Sequence, residues 1–197
     1  MLERRQMGQV PAKHHIAFEK PDGDLYWEHC FTREGFDGTY TILYHQHRPH
    51  EQRPKATERG WPAAEAAGTK RPLAKRHFLS QQMQKVGGAP VDARVPLLFN
   101  KDVVLSVMHP DQADPVYLAN ADGDELFFIF EGTGTLRTPL GELRFEPLDY
   151  VYVPRALPYR LIPDEGVGQY WLSMECRGGL DVLKQFRNAA GPLRRDA

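Results

Sequence analysis

From Asp102 to Glu175 glycine, proline and aspartate cut the chain into short apolar or alternating segments, and this punctuation restricts the fold more than any other feature. The segments are Asp102–Met108, Asp114–Ala119, Glu125–Glu131, Thr133–Thr138, Glu142–Phe145, Tyr150–Val153, Tyr159–Ile162 and Gln169–Glu175. None is long enough for a typical helix, and the regular turn spacing predicts a sandwich or barrel built from hairpins. Thr138-Pro139-Leu140-Gly141-Glu142 is a hairpin turn in which Gly141 is free to take a positive φ. Alternation places Tyr150 and Tyr152 on one sheet face and Val151 and Val153 on the other. Leu126–Phe130 is apolar throughout, as expected of a strand covered on both faces. A short helix is expected over Leu180–Arg187, where Leu180, Leu183 and Phe186 recur near helical spacing and Gly191-Pro192 would stop it.

The first hundred residues follow a different pattern. Leu25–Phe31 and Thr39–Tyr44 read as two strands joined through Gly35-Phe36-Asp37-Gly38, and Arg48–Lys75 reads as a long polar loop. The domain expectation is therefore residues 1–100 as N-terminal strands and a long loop packing on a barrel, with the barrel over 101–190. A formal net charge of −1 argues against electrostatic binding of nucleic acid. The basic cluster Lys70-Arg71 and Lys75-Arg76 reads as part of a solvated loop. No apolar run approaches the roughly 18 residues of a membrane span. The N-terminus lacks the apolar stretch of a secretory signal, and Cys30 and Cys176 read as reduced thiols. A cytoplasmic location is the expectation.

The stretch Asp122–Arg160 carries a more specific signal. Glu125 is followed after six residues by Gly132, and further on Pro154, Ala156 and Tyr159 are spaced two and three apart. A metal-binding cupin reads G-x5-H-x-H-x3,4-E-x6-G, then G-x5-P-x-G-x2-H-x3-N, and the chain resembles that pattern with its imidazoles missing. Leu118 and Asn120, or Ala119 and Ala121, stand where the two histidines belong; Ala156 stands at the glycine and Tyr159 at the last histidine. The expected fold is all-β, a cupin-type double-stranded β-helix (jelly-roll barrel) with an N-terminal β extension and a short C-terminal helix. Asn120, Glu125 and Tyr159 are the candidate residues of a vestigial pocket. One carboxylate with weak neutral donors is too little for a tight divalent site, since imidazoles supply most of the affinity for iron-group ions. A buried Glu125 needs a partner, for which Arg155 and Arg160 are the nearby candidates.

His45-Gln46-His47 followed by Glu51 reproduces H-x-H-x3-E, and His50 adds a fourth candidate ligand. Gln52–Pro62 beyond it is polar and holds no apolar strand, so Glu51 has no barrel wall behind it. A solvated cluster is the expectation there. His14, His15, His29, His77 and His109 are scattered, and no nucleophile elbow, phosphate-binding glycine loop or CxxC occurs. Tyr150, Tyr152, Tyr159 and Trp171 are candidates to line an aromatic-ligand cavity, although aromatics in barrels are more often core.

Several runs together resemble homogentisate 1,2-dioxygenases. They are Met7–His15 (MGQVPAKHH), Pro21–Tyr26, Gly35–Gly38 with Leu43–His45, Pro96–Asn100, Asn120–Leu126, Glu131-Gly132 and Asp149–Arg155, in the family's order along nearly the whole chain. The resemblance implies an Fe(II) enzyme of tyrosine and phenylalanine breakdown, which opens the homogentisate ring with O2 to give maleylacetoacetate. Members are bicupins that assemble as trimers or hexamers, with iron and the catalytic histidine in the C-terminal cupin. This chain resembles only the N-terminal half, and residues 191–197 look like the start of the connection to the second cupin. The resemblance therefore implies no iron ligand, no other metal ligand and no catalytic residue at any position here, and no cofactor bound by this chain. Its implied partners are the missing C-terminal half, further copies in a homo-oligomer and, for the full-length family, a small aromatic substrate. Two alternatives remain: a stand-alone non-catalytic cupin serving as a ligand-binding or oligomerisation module, and a mono-cupin metalloenzyme using His45, His47, His50 or Glu51.

Overall fold

The computed structural model describes residues 18–32, 35, 36, 38, 40–49, 51, 75, 77 and 79–188. The chain divides into two compact units, Met1–Ala56 and Thr57–Ala197. The first contains a two-stranded antiparallel hairpin, β1 (Trp27–Thr32) and β2 (Tyr40–His45), in the register Trp27↔His45 to Thr32↔Tyr40. Phe18 packs edge-on against Tyr44 with ring centroids 4.6 Å apart. Arg48 lies 4.7 Å over the Trp27 ring.

The second unit is a jelly roll of two antiparallel sheets. Its strands are β3 (Arg94–Phe99), β4 (Val103–Met108), β5 (Asp124–Glu131), β6 (Gly134–Thr138), β7 (Gly141–Phe145), β8 (Tyr150–Val153), β9 (Arg160–Pro163) and β10 (Tyr170–Cys176). One sheet has the order β3-β4-β10-β5-β8 and the other β7-β6-β9. An isolated Leu118↔Tyr159 bridge, just ahead of β9, adds a vestige of a fourth strand to the smaller sheet. The chain leaves the large sheet after β5, forms β6 and β7 in the small one, and then crosses between the sheets at β8, β9 and β10, as expected of a cupin-type jelly roll. Among the described residues there is no α-helix.

Two departures from expectation have local causes. Asp114–Ala119 forms no strand beyond the Leu118 bridge. Both Asp114 carboxylate oxygens are engaged instead, accepting from Val91 N at 3.0 Å and Leu161 N at 2.9 Å, and Pro115 offers no N–H to a ladder. The C-terminal helix expected over Leu180–Arg187 is reduced to one 3-10 turn, Lys184–Phe186. Leu180 N is drawn to the Asp124 carboxylate at 2.7 Å, and Asp181 bonds the Val182 N–H with its own side chain at 2.8 Å. Such side-chain capture competes with helical pairing. Leu183 is also exposed, so a helix there would have no apolar stripe to bury. Residues 191–197 and most of Arg48–Lys75 lie outside the described residues.

The two sheets meet through alternating inward side chains. Phe127, Ile129, Met108 and Trp171 of the large sheet are fully buried with Leu136 and Phe145 of the small one. Phe145 meets Trp171 edge-on at 5.3 Å. The Trp171 indole donates to Gln169 Oε1 at 3.0 Å, and Gln169 Nε2 donates to the Thr133 carbonyl at 2.9 Å. This clamp explains Gly132, the glycine of the E-x6-G spacing. Its φ is +102°, and a Cβ there would fall 1.9 Å from Gln169 Oε1. Gly141 takes the positive φ expected of the hairpin turn, +125°.

Candidate functional site

Glu125 points inward from β5, where the cross-strand register sets it directly opposite Glu175 of β10. Two like charges facing each other repel, and burial of a lone carboxylate is costly. The cation that answers them comes from β3. Arg94 Nη1 forms a short ion pair with Glu125 Oε1 and lies 4.0 Å from Glu175 Oε2. Its Nη2 donates to the Tyr159 hydroxyl at 3.1 Å, its Nε to the Pro90 carbonyl at 3.3 Å, and its guanidinium lies 5.2 Å over the Phe127 ring. Tyr159 in turn donates to Glu125 Oε2 at 2.6 Å, which closes a ring of three side chains. The Arg94 and Glu125 side chains are only 6% and 2% exposed, so the pair is essentially dry.

Asn120, the third candidate, joins the same cluster at its edge. Its Nδ2 donates to Glu175 Oε1 at 2.7 Å, while its Oδ1 accepts from Asp122 N and Gly123 N, both at 3.0 Å. Its carbonyl accepts from Ala156 N at 2.7 Å. The three sequence-predicted residues are therefore brought together, with Arg94 and Glu175 as two members that sequence reasoning missed. Arg94 replaces the expected partners from the β8–β9 region. The Arg160 side chain is committed to the Asp114 carbonyl at 2.8 Å. The available signal was Arg94 as the one charged residue in the otherwise apolar run Ala93–Phe99. Pro96 inside that run masks the strand, because proline is tolerated only at an edge or a bulge. β3 is the edge strand, with its irregularity between Pro96 and Leu98.

The electrostatics make the cluster a fixed clamp. Burial pulls the Arg94 pKa down, but the Glu125 charge and hydrogen bond, with Tyr159 and Glu175, together outweigh that and hold it above the ordinary arginine value. Burial, then Glu125, push the Tyr159 phenol well above the usual tyrosine value. Neither the guanidinium nor the phenol exchanges a proton near neutral pH. Fe(II) does not fit here either. The groups on Glu125 are a guanidinium and a phenol rather than imidazoles, and a guanidinium on the carboxylate repels a dication. Among the described residues no group of three or more His, Cys, Asp or Glu could hold a metal ion.

The H-x-H-x3-E run resolves differently from its motif. His45 meets His29 across the hairpin, Nδ1 of His29 lying 3.2 Å from Nε2 of His45. Glu51 pairs with Arg48 at 3.3 Å, and His47 is exposed. His50 lies outside the described residues. The four aromatics considered as a ligand wall are not brought together. Tyr159 and Trp171 are inside the barrel, whereas Tyr150 and Tyr152 stand on the outer face of β8, as strand alternation requires. Cys30 and Cys176 are both free thiols. Among the described residues no helix is long and apolar enough to cross a membrane.

No family model matches the chain. Over 195 residues, 98% of its length, the chain is 29% identical to a curated protein of Saccharolobus solfataricus named "putative dioxygenase". The match covers 49% of that protein, so the chain spans about half the length of this relative. Among solved structures, a cupin-2 domain protein from Shewanella frigidimarina matches 50% of this chain and 87% of its own at 16% identity and a TM-score of 0.40. A cupin superfamily protein from Desulfitobacterium hafniense matches 53% of this chain and 93% of its own at 14% identity and a TM-score of 0.42.

Proposed function

We propose that this chain is the N-terminal, metal-free jelly-roll half of a homogentisate 1,2-dioxygenase, a cytoplasmic enzyme that opens the homogentisate ring with O2 to maleylacetoacetate. The Arg94–Glu125–Tyr159 ring carries the reading. At the spacing where a metal-binding barrel would present imidazoles, this one holds a carboxylate neutralised by a built-in guanidinium. Fe(II), the aromatic substrate and the catalytic residues would then reside in a second half. The similarity to a protein twice as long and named for dioxygenase chemistry supports this division.

The outer face of the five-stranded sheet supports a packing role. Antiparallel sheets commonly turn one polar face to water. Here the outward positions include Leu126, Phe128 and Phe130 on β5, Leu172 and Met174 on β10, and Tyr150 on β8. Phe128 meets Tyr150 at a tilt of 40° with ring centroids 4.7 Å apart, and Tyr150 is 69% exposed. An apolar sheet face of this kind suits a second half or further copies in a homo-oligomer.

The test is metal analysis and oxygen uptake with homogentisate on the purified 197-residue chain. Neither iron nor uptake is expected from the chain alone; stoichiometric iron with ring cleavage would overturn the reading. Analytical ultracentrifugation should show self-association that Tyr150→Lys weakens, and a monomer at all concentrations would argue against the packing role. A stand-alone ligand-binding or oligomerisation module remains the competing reading, favoured by the same apolar face. It predicts a stop codon directly after codon 197 and no downstream cupin sequence, whereas the leading reading predicts a second half encoded in the same genome.

A further inference from the structure

We propose that His29 and His45 form a two-histidine chelate for an imidazole-preferring divalent ion such as Zn²⁺, stapling β1 to β2. The observation is independent of the barrel and of the enzyme reading above. The register Trp27↔His45 puts Trp27, His29 and Phe31 on the same hairpin face as His45, Leu43 and Thr41. His29 is therefore the diagonal neighbour of His45, and their facing ring nitrogens lie 3.2 Å apart with the rings tilted by 38°. Two Zn–N bonds of about 2.05 Å opening at the tetrahedral angle separate the nitrogens by about 3.3 Å, and a right-angled pair by about 2.9 Å. The observed separation falls between these limits. In the metal-free state one imidazole N–H donates to the other ring's lone pair; an ion would displace that proton and take both lone pairs. Burial, then the neighbouring His29 charge, lower the His45 pKa, which favours the neutral ligand form.

Two features around the pair are compatible with the staple. Arg48, the cation that follows β2 in sequence, is held over Trp27 and paired to Glu51. A two-stranded hairpin is marginally stable by itself, so a cross-strand ligand bond would add directly to its order. The remaining coordination positions would be filled by water, which makes this an open site.

The experiment is calorimetric titration of ZnCl2 into the untagged chain, with His29→Gln and His45→Gln variants alongside. Each variant should bind at least tenfold more weakly than wild type. In wild type, hydrogen exchange of the Trp27–Thr32 and Tyr40–His45 amides should slow severalfold with Zn²⁺ while β4, β5 and β10 are unchanged. Wild-type affinity in His29→Gln, or no metal-dependent protection of the hairpin, would overturn the proposal.

Discussion

The inner faces of β5 and β10 change character along their length. At one end Ile129 and Trp171 lie opposite each other; at the other, Glu125 and Glu175 do. The first end is held by shape, with Phe127, Phe145 and Trp171 meeting at ring edges. The second is held by one cation shared among two carboxylates and a phenol. A core packed by shape loses stability when volume is removed and regains it only when volume returns. A buried charge cluster fails when one member is left unmatched, and is relieved when the partner charge goes too.

The largest effects should expose that difference. Trp171→Ala is expected to cost about 3–5 kcal/mol through the cavity it leaves. Arg94→Met should cost a similar amount, about 3–5 kcal/mol, because Glu125 is left without its cation. Only the second loss is reversible: adding Glu125→Leu to Arg94→Met should recover at least half of it in urea unfolding. A double variant no more stable than Arg94→Met would show that the charge cluster is not the organising element of that end.

Legibility in the sequence followed the same division. The barrel strands from Asp124 onward were readable because each is a short apolar or alternating run between turn residues. The glycine of E-x6-G was readable as a motif, and its cause lies in Gln169 more than thirty residues later. The cluster was half readable. Asn120, Glu125 and Tyr159 were found through spacing, but their meeting point is set by Arg94, whose strand was hidden by Pro96. Glu175 joins only through the β5–β10 register, which local pattern does not encode. The reduced C-terminal helix failed for a related reason: the apolar spacing was present, but Asp124 and Asp181 bind the amides locally.

Tyr159 allows a finer probe. Tyr159→Phe keeps the ring and removes the hydroxyl that serves Glu125, a hydrogen bond to a charged group that contributes about 1.5–3 kcal/mol. It should also change the alkaline limb. The folded-state pKa of Tyr159 lies above the unfolded value of about 10, so above that pH the unfolded chain releases a proton that the folded chain retains. Stability therefore falls as pH rises beyond about 10, and Tyr159→Phe should decline less steeply there. Parallel unfolding curves for wild type and variant would contradict the assigned burial of the phenol.

The smallest expected effect lies just outside the cluster, at the position where the cupin pattern has glycine. Ala156 takes φ = +66°, the left-handed region, while its amide bonds the Asn120 carbonyl at 2.7 Å. An L-residue there is strained by about 1–2 kcal/mol relative to its right-handed conformation, whereas glycine is not, at the cost of about 0.5–1 kcal/mol in unfolded-chain entropy. Because Ala156 is exposed, removing its methyl sacrifices little packing. Ala156→Gly should therefore raise stability by about 0.5–1 kcal/mol, readable as a higher urea midpoint at unchanged slope. Leu148, exposed with φ = +78°, offers the matching test at the other end of β8. A gain at Leu148→Gly without one at Ala156→Gly would mean that the Asn120 contact holds the loop so firmly that residue 156 stores no recoverable strain.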